Sequence, residues 1–294
     1  MKKPRHKLLK YLHLTWVVLL YLPVALFYHI FFVYRYGKHP EKYPVEKRYK
    51  LVRKEIRGLL KLLRIDIKVE GLEEYYLNNP NKAILIISHQ AILDPLIFIA
   101  ACPRPTSFLS KIEVKKYPLA SSVIKALDGL YIDRAKLMTQ IDTIREIVKR
   151  AKSDKHASIG IYIEGHRNDH PEGDVQEYKA GTIKTAYMTK TDLINVANYG
   201  EFRVVSPRYH LKRYVCYLHF FKPIHPEEYK NIDNFTMASN LMKETNEEID
   251  KIRLEDIEYY EHSKETKRGK REALLVSRKT PLIAKVDKKK QSQI

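Results

Sequence analysis

Residues 83–101, AILIISHQAILDPLIFIAA, join two apolar segments of different kinds. The segment KAILIIS at 82–88 is a short continuous apolar run, which is typical of a strand covered on both faces. The segment ILDPLIFIAA at 92–101 predicts a helix. A buried strand followed closely by a helix indicates a unit of an α/β fold.

The same alternation continues on both sides of this stretch. Further strands are predicted at 65–72, 106–111, 129–134, 157–164, 192–200 and 213–224, and further helices at 55–65, 119–127, 136–152, 180–190 and 234–260. Antiparallel pairing is an option for the last strand. We therefore expect an α/β fold with a mostly parallel central sheet flanked by helices, and an N-terminal membrane-anchoring helix or helix pair.

The N-terminal anchor is predicted from residues 11–34, which contain no Asp, Glu, Lys or Arg. That length suffices to cross a bilayer, which takes about 20 apolar residues. Basic residues flank both ends, and this fits poorly with a simple one-way span. A helix pair that dips into one leaflet and a single span both stay open, and a cleaved signal peptide is a less favoured third reading.

Charge and composition divide the 294 residues into three parts. We predict a basic N-terminus and hydrophobic anchor at 1–48, an α/β domain at 49–263 and a basic C-terminal tail at 264–294. The net charge of +19 implies an anionic partner, and the anchor favours an anionic membrane over nucleic acid.

The two cysteines, Cys102 and Cys216, lie far apart in the sequence and give neither a disulfide framework nor a Cys-based zinc site. This favours a reducing compartment.

Three polar residues come at or directly after the ends of predicted strands. His89 follows 82–88, Lys111 ends 106–111 and Glu164 ends 157–164. Ligands of such sheets bind beyond the carboxyl ends of the strands. We therefore expect these three side chains to share one edge of the sheet.

His89 and Asp94 form the pattern H-x-x-x-x-D, which has two readings. In the structural reading, Asp94 before Pro95 begins a helix, and His89 is a buried histidine bonded to the backbone. In the functional reading, the imidazole is a base that takes the proton of an attacking alcohol. The carboxylate then fixes the tautomer of the ring and stabilises its protonated form.

A second pattern is IYIEGHRND at 161–169, where Gly165 allows a tight turn and Arg167 offers a planar fork suited to phosphate. The same residues would also fit an ordinary charged surface turn. A metal site using His166 and His170 is a weaker alternative. Lys111 is a cation at the end of a strand, where it could bind an anionic ligand. The alternative reading is a lysine that is exposed to solvent and has no part in a site.

Together these stretches resemble the lysophosphatidic acid acyltransferase family, also called 1-acyl-glycerol-3-phosphate acyltransferases. The family's motifs H-x-x-x-x-D, K-x-E-L-x-x-x-P with a later I-D-R, F-P-E-G-T-R and F-K-x-G appear here, in order, at 89–94, 111–118 with 131–134, 162–167 and 178–181. The resemblance covers about residues 82–200. His166 stands in place of the family's threonine, Asn195 and Ile163 in place of prolines, and Ser121 in place of a common glycine.

The resemblance implies transfer of an acyl group from a thioester, on coenzyme A or acyl carrier protein, to the free hydroxyl of lysophosphatidic acid. It implies that His89 is the general base and Asp94 its orienting carboxylate. Lys111 and Arg167 would hold the phosphate, while Glu164 and Gly165 would shape the acceptor site.

No cofactor beyond this co-substrate and no metal are expected. The expected partners are an anionic phospholipid membrane, a lysophospholipid acceptor and the acyl carrier, with no nucleic acid. The catalytic domain would face the cytoplasm. Two alternatives stay open: an acyltransferase acting on glycerol-3-phosphate or another lysophospholipid, and a non-catalytic membrane-anchored protein that binds anionic lipid or nucleic acid.

Overall fold

The structure is a computed structural model, and it describes residues 5–151 and 158–262 together with Glu272. The described chain has an α/β fold with a seven-stranded central sheet in the order β1-β7-β6-β2-β5-β3-β4. The strands are β1 (Ile65–Glu70), β2 (Ala83–Ile87), β3 (Thr106–Lys111), β4 (Leu130–Ile132), β5 (Ser158–Tyr162), β6 (Asp192–Tyr199) and β7 (Tyr214–Phe220). All seven predicted strands are present, and the predicted α/β fold is confirmed.

The sheet is mostly parallel, with one antiparallel pair between β6 and β7. Strand β1 pairs in parallel with β7, so both run opposite to the other five strands. Every residue of β2, β5 and β6 is buried. Continuous apolar strands such as β2 form because both faces of the sheet are covered by helices.

Helices and shorter turns connect and cover the strands. The α-helices are α1 (Arg5–Tyr28), α2 (Tyr34–Lys38), α3 (Val45–Leu62), α4 (Asp94–Ala101), α5 (Pro118–Ala126), α6 (Leu137–Ala151), α7 (Ala180–Thr189), α8 (Phe202–Val205), α9 (Pro226–Tyr229) and α10 (Asn234–His262). A π-helical segment, His29–Val33, links α1 to α2. Both α4 and α5 have a proline in the first turn, where a missing N–H costs no helical hydrogen bond.

The N-terminal apolar segment is a single helix rather than a helix pair. Its backbone stays right-handed helical at the junctions of α1, the π-helical segment and α2. Residues 8–38 are long and apolar enough to cross a membrane. Pro23 lies inside α1, and the helix continues on both sides of it.

The division into residues 1–48, 49–263 and 264–294 stays a prediction, because nothing in the structure tests where these three parts begin and end. The tail predicted at 264–294 lies outside the described residues except for Glu272. That carboxylate is buried and accepts a hydrogen bond from the backbone N–H of Lys212 at 2.8 Å.

Parallel strands β2, β3, β4, β5 and β6 bring their carboxyl ends to one edge of the sheet. The loops after β2 and β5 are joined there by a hydrogen bond from the Asn168 N–H to the His89 carbonyl, at 2.8 Å. Gln90 extends the junction, because its side chain donates to the Pro171 carbonyl and accepts from the Gly200 N–H. The fold therefore places three loops side by side where the sequence predicted a site.

Candidate active site

His89 and Asp94 are in direct contact. Nδ1 of His89 lies 2.8 Å from Oδ2 of Asp94. A carboxylate only accepts hydrogen bonds, so Nδ1 carries the proton and Nε2 is the ring nitrogen left for a substrate. The Asp94 side chain is fully buried, whereas that of His89 keeps 17% of its surface exposed.

Asp94 is held in place by the loop that precedes it. Its carboxylate accepts the backbone N–H of Gln90 at 2.7 Å and that of Ala91 at 2.9 Å. The carboxylate does not cap α4, because Asp94 is itself the first residue of that helix and Leu93 occupies the N-cap position. Its bonds therefore run back to the His89 loop, which orients the carboxylate toward the imidazole.

An aromatic ring fixes the plane of the His89 imidazole. The ring of Tyr162 lies against it with centroids 4.4 Å apart, tilted by 34°. Burial raises the pKa of the Tyr162 hydroxyl, so this side chain acts as a neutral support. Sequence reasoning missed Tyr162. The available signal was its place at the end of a buried strand, where it pairs with Ile87 just before the His89 loop.

Glu164 binds the backbone of the site rather than facing outward. One carboxylate oxygen accepts the N–H of His89 at 2.6 Å, and the other accepts the N–H of Gln176 at 2.9 Å. The side chain is buried, and this burial raises the pKa of the carboxyl while the two N–H groups oppose that shift. Glu164 thus positions the peptide that carries His89.

Gly165 turns the chain immediately after Glu164, with φ at +79° in the left-handed region that favours glycine. The guanidinium of Arg134 lies beside it, 3.8 Å from the point where a Cβ at position 165 would sit. Sequence reasoning quoted the YIDR stretch but did not assign Arg134 to the site. Its position two residues after β4 was the signal, because that strand ends at the same edge of the sheet.

Arg167 lines a groove beside the dyad with a volume of about 510 Å³. The groove is lined by the loop after β2, the loop after β5 and the region of α8; its residues are Gln90, Ala91, Ile92, His166, Arg167, Asn168, Asp169, Pro171, Phe202, Val205 and Ser206. Within the described residues, no carboxylate forms an ion pair with Arg167. Its guanidinium is therefore available to an anionic ligand.

Lys111 has an ion-pair partner close to it in the chain. It ends β3 at the expected edge, but its ammonium pairs with Glu113 at 3.3 Å and is more than half exposed. In the part of the chain that the structure describes, no hydrogen bond or ion pair joins Lys111 to the other predicted site residues. Its reading as a solvated lysine stays open.

Asn195 replaces the proline of the resembled motif and lies in the interior. Its side-chain amide donates to the Leu241 carbonyl, to Glu244 and to the Thr245 hydroxyl, at 2.9 to 3.1 Å. Asn195 therefore ties β6 to α10 and is not part of the groove.

One set of described side chains has the spacing of metal ligands. The ligand atoms of Glu70, His219 and Glu248 lie within 4.8 Å of one another. Glu248 also accepts a hydrogen bond from Lys251 at 2.7 Å. None of these residues belongs to the predicted site.

Comparisons with known proteins identify acyltransferases as relatives of this chain. An acyltransferase family model matches residues 66–198, which contain the dyad and the groove loops. The chain is 26% identical over 226 residues to a probable 1-acyl-sn-glycerol-3-phosphate acyltransferase of Mycoplasma genitalium, covering 70% of this chain and 79% of that protein. It is 32% identical over 152 residues to the 1-acyl-sn-glycerol-3-phosphate acyltransferase of Borreliella burgdorferi, covering 51% and 58%.

A solved structure shares the fold. The crystal structure of the 1-acyl-sn-glycerophosphate (LPA) acyltransferase PlsC from Thermotoga maritima superposes with a TM-score of 0.59, covering 84% of this chain and 95% of that one. The two sequences are 21% identical, so this likeness concerns the fold alone. Together, the family match and the relatives show that residues 66–198 form an acyltransferase domain and that the chain is an acyltransferase similar to 1-acyl-sn-glycerol-3-phosphate acyltransferases.

Proposed function

We propose that this enzyme transfers an acyl group from a thioester to the free hydroxyl of lysophosphatidic acid, giving phosphatidic acid. The observation that carries the proposal is the 2.8 Å contact between His89 and Asp94, beside a groove in which the Arg167 guanidinium has no ion-pair partner among the described residues. The names of the curated relatives support the acceptor, because they are called 1-acyl-sn-glycerol-3-phosphate acyltransferases.

In the proposed mechanism, Nε2 of His89 removes the proton of the acceptor hydroxyl as its oxygen attacks the thioester carbonyl. Asp94 stabilises the imidazolium that forms. When the tetrahedral intermediate collapses, the carbon–sulfur bond breaks and the imidazolium returns the proton to the leaving thiolate. A thioester is already activated, so the acceptor attacks it directly and no protein nucleophile is needed.

The proposal is tested by incubating purified protein with labelled acyl thioesters and a panel of acceptors. Acyl-coenzyme A and acyl carrier protein are compared as donors, and lysophosphatidic acid is compared with glycerol-3-phosphate and lysophosphatidylcholine. We expect phosphatidic acid as the main product. Preferred acylation of glycerol-3-phosphate would replace the proposed acceptor, and lipid binding without any transfer would favour the non-catalytic alternative.

We also propose that Arg167 binds the phosphate of the acceptor. Arg167→Ala should raise KM for lysophosphatidic acid about 10- to 100-fold, because a charge-assisted hydrogen bond contributes about 1.5–3 kcal/mol. We expect a smaller change in kcat. Steady-state kinetics with acceptor varied at fixed donor measures both constants. Arg145→Ala is the control, since Arg145 lies exposed on α6 and pairs with Asp142. An unchanged KM would place the phosphate elsewhere.

We propose that the N-terminal helix lies in the plane of the membrane, with the domain on its cytoplasmic side. The helix is docked on the domain along its length: Lys10 donates to the Arg203 carbonyl at 2.8 Å, and the Tyr21 hydroxyl donates to Glu55 of α3. Gly37, near the other end, packs closely on α5. Residues 10–37 extend over about 40 Å at 1.5 Å per residue, which exceeds the roughly 30 Å hydrocarbon core.

A perpendicular helix would therefore carry part of the charged domain surface into the hydrocarbon, at high cost. The face of the helix turned away from the domain is apolar instead; its exposed residues include Leu8, Leu9, Leu12, Trp16, Leu19, Leu20, Phe27, Phe31 and Tyr34. Contact with the hydrocarbon of one leaflet would remove this apolar surface from water.

The orientation is tested with single cysteines at Leu12, Leu19, Phe27 and Tyr34, each labelled with a fluorophore and quenched by lipids brominated at known depths. An in-plane helix predicts nearly equal depths at all four positions. Greater depth at the two middle positions than at the ends would indicate a span. Arg145→Cys serves as the control outside the membrane, and the native Cys102 and Cys216 are buried.

A further inference from the structure

The charge of the groove depends on one residue at which this chain departs from its family. Among the side chains that line the groove, three carry or can carry a charge: His166, Arg167 and Asp169. Arg167 and Asp169 carry opposite formal charges. A protonated imidazole at position 166 would add a positive charge to the lining, which the threonine of the resembled motif could not do.

The backbone determines which nitrogen of His166 is free. Its Nδ1 lies 3.1 Å from the carbonyl oxygen of Arg167, and a carbonyl only accepts, so Nδ1 donates. Nε2 is then left for a ligand. It accepts a hydrogen bond when the ring is neutral and donates one when the ring is protonated.

Phosphate esters differ in whether they carry a proton that they can donate to such a nitrogen. A phosphomonoester loses its second proton with a pKa near 6, whereas a phosphodiester has no such proton. A monoanionic phosphomonoester can donate its remaining proton to neutral Nε2 in a charge-assisted hydrogen bond. A diester has no such proton to donate.

We propose that His166 is a specificity-determining residue that, together with Arg167, selects acceptors with a phosphomonoester headgroup over those with a phosphodiester. The inference rests on the proposed function in taking this groove as the acceptor site. It goes beyond that function because it assigns headgroup selection to a residue that distinguishes this chain from the family motif.

The test measures binding without turnover. Dodecyl phosphate, a monoester, and methyl dodecyl phosphate, a diester, lack an acceptor hydroxyl, so calorimetry in one detergent reports their affinities directly. The variants are His166→Thr, which restores the family residue, and His170→Thr as a matched control. His170 is an exposed histidine of the same loop that does not line the groove.

We expect wild-type protein and His170→Thr to prefer the monoester. His166→Thr should weaken monoester binding about 10-fold and leave diester binding within about 2-fold, because one charge-assisted hydrogen bond is lost. The inference would be overturned if His166→Thr weakened the binding of both ligands equally or left the affinity for the monoester unchanged. It would also be overturned if the wild-type protein showed no preference between the two ligands. Failure to acylate lysophosphatidic acid while the monoester preference persists would instead reject the proposed function.

Discussion

His89→Ala is expected to lower kcat for acyl transfer by about 10²- to 10⁴-fold, the contribution usual for a positioned general base. The physical reason is that a glycerol hydroxyl is a weak nucleophile until its proton is taken during attack. The loss should appear in kcat rather than in acceptor binding, because the imidazole acts on the hydroxyl and Arg167 is the proposed phosphate ligand. Single-turnover assays with labelled thioester measure the chemical step.

The control for this variant is His170→Ala, which removes an imidazole from an exposed part of the neighbouring loop. Circular dichroism and binding to lipid vesicles should be unchanged in both variants. His89 is partly exposed, and its backbone bonds to Glu164 and Asn168 do not depend on its side chain. Turnover within 10-fold of wild type would remove His89 from the mechanism.

Asp256→Ala is expected to lower the free energy of unfolding by about 3–5 kcal/mol, the cost of leaving a buried charge unpaired. Asp256 pairs with Arg203 through two contacts, at 2.7 and 2.9 Å, and both side chains are at most 2% exposed. Arg203 belongs to α8, which also contributes Phe202 and Val205 to the groove. Losing this pair should therefore loosen the groove as well as the fold.

The measurement is denaturant unfolding in detergent, compared with Asp142→Ala. Asp142 pairs with Arg145 on the surface of α6, with both side chains at least 65% exposed, so we expect a change of no more than about 0.5 kcal/mol. The double variant Arg203→Met with Asp256→Leu should recover much of the loss, because it removes both buried charges. A loss below about 1 kcal/mol for Asp256→Ala would contradict this account of the pair.

Much of the fold could be predicted from sequence patterns, because the apolar pattern of each strand and helix indicates which of its faces are buried. The continuous apolar run of β2 predicted a strand covered on both faces, and the alternation around it predicted the mostly parallel sheet. The same reasoning predicted that His89 and Glu164 lie at one edge of the sheet, since residues that follow parallel strands meet at the carboxyl ends of those strands. The H-x-x-x-x-D spacing alone left open whether Asp94 caps a helix or orients an imidazole.

Other features depend on contacts between residues distant in the chain. Tyr162 supports His89, and Arg134 approaches Gly165. The ion pair of Lys111 with Glu113 is local in the chain. Glu164, which the sequence predicted to shape the acceptor site, accepts two backbone N–H groups with its carboxylate oxygens. Such partners follow from side-chain directions and loop paths, which no local pattern specifies.

The sequence by itself determined the α/β class, the apolar N-terminal helix and the residue types of the site, because hydrophobic periodicity and turn chemistry are local properties. Only the tertiary structure decided that Asp94 turns toward His89 and that the N-terminal helix packs along the domain. The helix is held by hydrogen bonds to residues distant in the chain, and the loop that carries His89 is held by Glu164 and Asn168. These contacts exist only once the sheet has assembled.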